Sequence, residues 1–339
     1  MVQVVSDICG VHAQLSASAE LMLGMRVRGI TREDVRDALW RRRTLVKTVG
    51  LRGTLHLLPA REVPTWMAAN RLRFDSERQR YVMLGMDVKN LDRLVDAISE
   101  VVGPEPIDRP ELERELEARV GKWATTRNQA WAGNYPNWPL ALGWAAAAGR
   151  LCYGPGQGGR ATFVSLADWS GWREEDPYEA GRYVLKKFLR AYGPSTVAEF
   201  ARWFALEQPL ARRLFAESPG LVEVDVEGSK RWMPVAGANG AEPPHPKAVH
   251  LLPHFDVYVV GFSSARPADP ERIGSRRDSP RHGRAVRGAA GRRPNRRRVG
   301  AQAEGQEAGG PGGCACAAEP KPAAIRRSAG GTRGGDPRP

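Results

Sequence analysis

Three observations in the sequence predict an α+β fold built on one repeated theme. Short amphipathic helical stretches come first, each series ends in a strand pair with basic or glycine-rich connections, and a new helical stretch then begins. The theme occurs three times before residue 264. Helix, helix, then a basic hairpin is the order of a winged helix. The predicted class is therefore α+β, with tandem winged-helix (helix-turn-helix) domains, a truncated β-rich C-terminal region and a disordered tail. The prediction requires the three hairpins to stand as separate ribbons.

The first unit spans residues 1–60. Thr31-Arg32-Glu33-Asp34 reads as a capping box, and Val35, Ala38 and Leu39 follow at helical spacing. Arg41, Arg42 and Arg43 crowd the end of that helix, where its dipole favours cations. Thr44–Val49 and Thr54–Leu58 read as strands around Leu51-Arg52-Gly53. The second unit, residues 61–172, has preceding helices, an amphipathic run from Leu91 to Ile98, and a helix opening at Arg109-Pro110-Glu111. A small-residue helix from Trp138 to Ala148 follows. Its strands, Gly149–Tyr153 and Ala161–Val164, flank a Gly-rich tip, Gly154–Arg160. That tip lacks Gly-Lys-Ser/Thr and leads into a strand, which excludes a nucleotide P-loop. The third unit, residues 173–248, carries helices over Tyr178–Tyr192, after the Thr196 cap and over Glu207–Ala216. Its hairpin pairs Leu221–Val226 with Lys230–Val235.

Residues 249–264 read as a remnant of a β-rich region, with Val257–Phe262 strand-like. Every Trp, Tyr and Phe lies at or before Phe262, and residues 265–339 turn to Arg, Gly, Pro and Ala. Such a segment cannot bury enough apolar surface to offset its ordering entropy, so it reads as a disordered tail, genuine or out of frame. The tail holds 17 Lys and Arg against 7 Asp and Glu; of the chain's formal net charge of +13, only +3 belongs to residues 1–264. The basic balance thus speaks for the tail more than for the folded part. No run of about 18 apolar residues exists to span a membrane, and the first residues do not read as a signal peptide. Cys9 and Cys152 are isolated, and Cys314 and Cys316 lack zinc-finger spacing. A reducing cytoplasm, with no metal and no cofactor, fits this usage.

Four strings in this order resemble a known family: Gly10-Val11-His12-Ala13-Gln14, Leu51-Arg52-Gly53-Thr54-Leu55-His56-Leu57, Tyr192-Gly193-Pro194-Ser195-Thr196 and Leu252-Pro253-His254-Phe255-Asp256. They look like the winged-helix DNA-binding domain family that includes the AlkZ-type and YcaQ-type alkylpurine DNA glycosylases, over residues 1–262. The resemblance implies three winged helices arranged around duplex DNA and hydrolysis of the N-glycosidic bond of alkylated purines. It also implies a helical segment ahead of the motif longer than the one here, and a β-rich C-terminus continuing beyond Gly261. The family's catalytic motif is Gln, an aliphatic residue, then Gln or Asp. Here the matching positions are His12, Ala13 and Gln14, so His stands where Gln is usual.

The expected site follows. Gln14 positions water through its carboxamide, and His12 accepts a proton from it. On an extended segment the two face the same side; on a helix they would diverge. The bland readings are a backbone-bonded imidazole and a helix-terminal amide. Arg52, Lys47, Arg43, Arg160, Arg212 and Arg231 are the candidates for phosphate contacts. Asp256 is a candidate lesion-proximal group or a turn former, and His56 reads as a strand residue packed on the sheet. Trp131, Tyr135 and Trp138 suit base stacking but read better as core. The expected partner is double-stranded DNA, bound by a monomer. The competing functions are a non-catalytic DNA-binding regulator and an inactive, truncated or frameshifted family member.

Overall fold

The computed structural model describes residues 1–83, 87–130, 133–237, 251–262 and 325–327. Apart from residues 325–327, the tail expected to be disordered lies outside the described residues.

The chain opens with α1 (Val2–Asp7), β1 (Val11–His12), α2 (Ser16–Gly24) and α3 (Arg32–Trp40). The expected capping box is present: the Thr31 hydroxyl accepts from the Asp34 N–H and the Asp34 carboxylate accepts from the Thr31 N–H. The first hairpin is β2 (Leu45–Val49) and β3 (Leu55–Pro59). The long helix α4 (Val63–Met83) follows, then α5 (Val88–Val101), β4 (Ile107–Asp108) and α6 (Arg109–Val120). β5 (Arg127–Ala130) and β6 (Gly133–Pro136) make a small ribbon ahead of α7 (Leu142–Ala147). The second hairpin is β7 (Cys152–Gln157) and β8 (Arg160–Val164), turning at Gly158-Gly159, both with positive φ. Past α8 (Leu166–Ser170) come α9 (Pro177–Tyr192), α10 (Val197–Phe204) and α11 (Gln208–Glu217). The third hairpin is β9 (Leu221–Val226) and β10 (Ser229–Pro234). Last come α12 (Val257–Phe262) and β11 (Ile325–Arg327), which pairs antiparallel with β9.

The hairpins are not three separate ribbons. The first two share one antiparallel sheet in the order β1-β3-β2-β7-β8-β4, joined where Lys47 faces Tyr153. An unpaired β2 edge would expose its backbone donors and acceptors, and β7 pairs with that edge at Lys47. Fusion also lets Val46, Leu58, Cys152, Phe163 and Val164 share one core with α4, α7 and α9. Only the third hairpin keeps its own sheet.

Strand alternation assigns the two faces of the first half of this sheet. Val11, Leu45 and Leu57 point into a small core with α1, α2 and α3. Val46 and Leu58 point the other way, into the large core, where Trp66 and Met67 of α4 and Val184, Leu185 and Phe188 of α9 are buried. α4 is buried on more than one side because it lies between α9 and α7, which is why no single apolar stripe announces it in the sequence. A buried polar knot ties α1 and α9 to the turn that leads into α4. Lys187 donates to Glu62 (2.9 Å) and Ser6 (2.5 Å), and Ser6 donates to Glu62 (2.5 Å).

The strand expected over Val257–Phe262 is a helix. Its β-branched residues favour a strand, but the Asp256 carboxylate accepts the Tyr258 N–H (3.0 Å) as a helix cap. Val257 is drawn into the small core, and Gly261 lies beside Trp203. Tertiary burial overrides local preference, and the described part of the expected β-rich remnant is a loop over 251–256 followed by α12. Among the described residues no helix is long and apolar enough to cross a membrane.

Replacing Lys187 by Ala would leave the buried Glu62 with only the longer contact to the exposed Arg61, 3.8 Å away. The expected loss is roughly 3–5 kcal/mol in denaturant unfolding, with much of it recovered in the Glu62→Gln/Lys187→Met double variant. Equal stability of Lys187→Ala and the native chain would contradict this account of the knot.

Candidate active site

The site begins at a turn. Cys9 (φ 62°) and Gly10 (φ 94°) carry the chain from α1 into β1 in left-handed conformations. A side chain at residue 10 would also strike Leu58, 2.8 Å from an added Cβ, so glycine is required twice over. β1 then pairs with β3, placing His12 directly opposite His56, and β2 places Thr48 opposite His56 on its other side. His12, His56 and Thr48 thus form one cross-strand row on the large-core face, all of them buried.

His56 is held rigidly. Its Nδ1 lies 3.0 Å from the Thr54 carbonyl, which can only accept, so Nδ1 carries the proton and Nε2 is bare. The ring lies against Gly50, where an added Cβ would come within 2.9 Å of it. The His12 ring meets His56 edge-on, centroids 5.3 Å apart at 83°, and Phe255 covers it at 5.0 Å. The His254 ring stacks on Phe255 at 4.0 Å. Burial first, and then the Arg52 guanidinium and His254, pull the His12 pKa down to about 4. Burial and the neighbouring His12 pull His56 to about 3, against the Thr54 carbonyl, which opposes the shift. Both imidazoles are neutral near pH 7.

Gln14 is exposed two residues on, in a bend just past β1 rather than on a helix. Its Oε1 accepts the Leu55 N–H at 3.3 Å, which pins the carboxamide to the end of β3 and leaves its NH₂ group as the available donor. The loop before α12 closes the site. Arg26 grips the fully buried Asp256 with two bonds, 2.9 and 2.8 Å, and the Ser18 hydroxyl donates to the His254 carbonyl. Arg26 therefore neutralises the one carboxylate that the expected lesion-proximal set contained. Asp256 acts on the site by holding Phe255 and His254 in place. The Tyr192 hydroxyl donates to the Ile8 carbonyl (2.7 Å), and burial pushes its pKa upward.

The basic candidates fare differently. Arg52 is not on an exposed wing. Its connection is packed by α10, and its guanidinium donates to the Trp203 carbonyl at 2.8 Å from a left-handed backbone (φ 55°). Arg231 is likewise committed, to Glu199 (2.8 Å), whose carboxylate caps α10. Lys47 alternates to the face opposite His12, where its Nζ meets the Ser16 hydroxyl at 3.1 Å. There it lines a cleft of about 550 Å³ with Arg36, Arg160, Glu20 and Tyr153. Arg160 is exposed on the second hairpin and pairs with Asp108 at 3.3 Å. Arg43 is exposed with its guanidinium over Trp169 (3.8 Å), and Arg212 lies exposed on α11. The structure thus gathers His12, Gln14, His56, Arg52 and Asp256 at one place, and Lys47 with Arg160 at another. Trp138 is fully buried, as core. Trp131 and the Tyr135 side chain lie outside the described residues. Among the described residues no group of His, Cys, Asp and Glu could hold a metal ion.

Sequence reasoning missed Phe255, His254 and Arg26 as parts of the site. The Leu252–Asp256 string marked the place, but only its carboxylate had drawn attention.

Residues 5–271 match the family model described as "DNA glycosylase AlkZ-like", and the chain belongs to that family. It is similar to the interstrand DNA cross-link repair glycosylase of Streptomyces sahachiroi, 30% identical over 299 residues that cover 85% of this chain and 76% of that protein. The solved structure of Streptomyces sahachiroi DNA glycosylase AlkZ superposes with a TM-score of 0.66 at 30% identity, covering 77% of this chain and 71% of that one.

Because the folded pKa values of His12 and His56 lie below the unfolded value, the unfolded chain binds protons first as pH falls. The stabilisation is fully present above about pH 6.5 and drains away toward the folded values near 4 and 3. Stability measured by urea titration should therefore drop from pH 7 to pH 4, and the His12 imidazole should titrate near 4 by NMR. A His12 titration near 6.5 would sink this picture of the site.

Proposed function

We propose that the chain hydrolyses the N-glycosidic bond of alkylated purines in duplex DNA, with Gln14 positioning the water and His12 receiving its proton. The observation that supports it most is the pairing of an imidazole held neutral with a carboxamide whose oxygen is already committed. An alkyl group on N3 or N7 makes the purine a cationic leaving group, so it departs without being protonated. The bond breaks toward an oxocarbenium-like sugar. A protonated His12 would repel both cations; a neutral one does not. An imidazole with a pKa near 4 is a weak base, which suits a water attacking an already cationic sugar late in the reaction.

The helix-plus-hairpin series is read as tandem winged helices, even though the first two ribbons are joined in one sheet. Phosphate contacts are assigned to Arg43, Arg160 and Arg212, which are exposed. Lys47 serves with Arg160 on the opposite face. Arg52 and Arg231 are left out because each is half-buried and bonded to an acceptor inside the protein. The protein acts as a cytoplasmic monomer, without a cofactor.

A second reading draws on Gln14 itself: a carboxamide bonded to a strand-end N–H is also what a purely structural residue does. A non-catalytic binder would hold duplex DNA in a salt-dependent way and release no base. Single-turnover assays on duplex containing 7-methylguanine separate the two. The proposal expects base release, reduced about a hundredfold or more by Gln14→Ala with DNA affinity retained. Undiminished release by that variant would overturn the assignment. Arg212→Ala should weaken binding on all sequences and lower the salt slope by roughly 0.9.

A further inference from the structure

Three buried polar atoms in the cross-strand row have no hydrogen-bond partner: His12 Nδ1, His56 Nε2 and Thr48 Oγ. They come from three neighbouring strands at directly opposed positions. One unsatisfied buried polar atom costs about 1–3 kcal/mol, and three in one row require an explanation. His56 presents a bare acceptor, since its Nδ1–H is taken by Thr54. Its ring cannot swing away, being wedged between Gly50 and the backbone at Gly10, where added Cβ atoms would come within 2.9 and 3.7 Å of it. The His12 ring stands at 83° to that of His56, centroids 5.3 Å apart, and its Nδ1 is likewise buried and without a partner.

We propose that His56 is a positioning residue for the reaction: its bare Nε2 receives the Nδ1–H of His12, directly or through one water that Thr48 also bonds, and so keeps the Nε2 lone pair of His12 turned toward the attacking water. The inference rests on the reading of His12 as proton acceptor. A neutral imidazole has one donor and one acceptor nitrogen, and the bond made by the first fixes which is left as the base. A shared water here would have three polar partners, enough to hold it in place. In the reaction, the water oxygen bonds C1′ and the glycosidic electron pair leaves with the purine, which becomes neutral. The water's proton passes to His12 Nε2. The imidazolium keeps its Nδ1–H on His56, which stays neutral throughout.

The test uses the full chain labelled with ¹⁵N-histidine, with tautomers read from ring nitrogen shifts at pH 7.5. Native His12 is expected with Nδ1 protonated and Nε2 bare. His56→Phe keeps a ring and removes the acceptor. It should mix the His12 tautomers and slow single-turnover base release about tenfold or more, with DNA affinity unchanged. His56→Gln, whose Oε1 reaches about where the imidazole Nε2 lay, should restore the tautomer and bring the rate within about threefold of native. If His56→Phe does not fold, His56→Gln with native tautomer and His56→Leu without it decide the matter. Nε2-protonated His12 in the native chain, or a tautomer indifferent to every change at His56, overturns the proposal. His12→Phe separates the two claims. Unchanged base release in that variant, with the His12 tautomer still answering to His56 in the chains that keep His12, would discard His12 as proton acceptor while the positioning contact stands.

Discussion

The pairing of a two-residue strand, Val11–His12, with the middle of β3 is the constraint on which the site depends. It is a short contact with large consequences. Strand alternation sends Val11 into the small core and His12 toward the large one, so a slip of one residue would exchange them. The glycines on either side of His56 allow no other packing, and the left-handed turn at Cys9 and Gly10 delivers the strand at the required angle. The imidazole is thereby placed where water is scarce, and desolvation does the rest: a group that would be half charged near neutrality becomes a neutral one.

Electrostatics around that imidazole is organised by pairing charges away from it. Asp256 is the nearest carboxylate in the closing loop, and Arg26 takes both its oxygens. Arg52 is charged and close, but its donors serve the Trp203 carbonyl. What remains facing the open side of the site is a surface made by His12, Gln14 and the stacked rings of His254 and Phe255. For the cationic substrate proposed above, a neutral His12 avoids the repulsion that a second cation would bring.

The fusion of the first two hairpins into one sheet changes how DNA contacts are to be imagined. Independent wings would each present a ribbon on both faces. Here one face of the shared sheet is committed to the large core and carries the His12 row, while Lys47 and Arg160 open on the other. Basic residues that look equivalent along the chain therefore belong to different surfaces, and two of them, Arg52 and Arg231, are internal fasteners. Charge at a hairpin is thus a poor guide to phosphate contact unless the face is known.

Much of the local structure was legible in the sequence. The capping boxes at Thr31 and Thr196, the helix opening at Arg109-Pro110, the Gly-rich turn at Gly158-Gly159 and all three hairpins follow from short-range chemistry, which a linear reading sees. The motif His12-Ala13-Gln14 was likewise legible, but whether it lay on a strand or a helix was not. What needed the tertiary structure was everything decided by burial and by partners distant along the chain. Val257–Phe262 became a helix because Asp256 caps it and the small core takes Val257. Arg52 was drawn from wing to interior by α10. His56, which reads as one more strand residue, stands against His12 only because β1 returns to β3 across more than forty positions. Residue type and spacing encode turns, caps and periodicity; which side chains lose their water, and which charges cancel, depends on faces and neighbours that exist only once the chain has closed on itself.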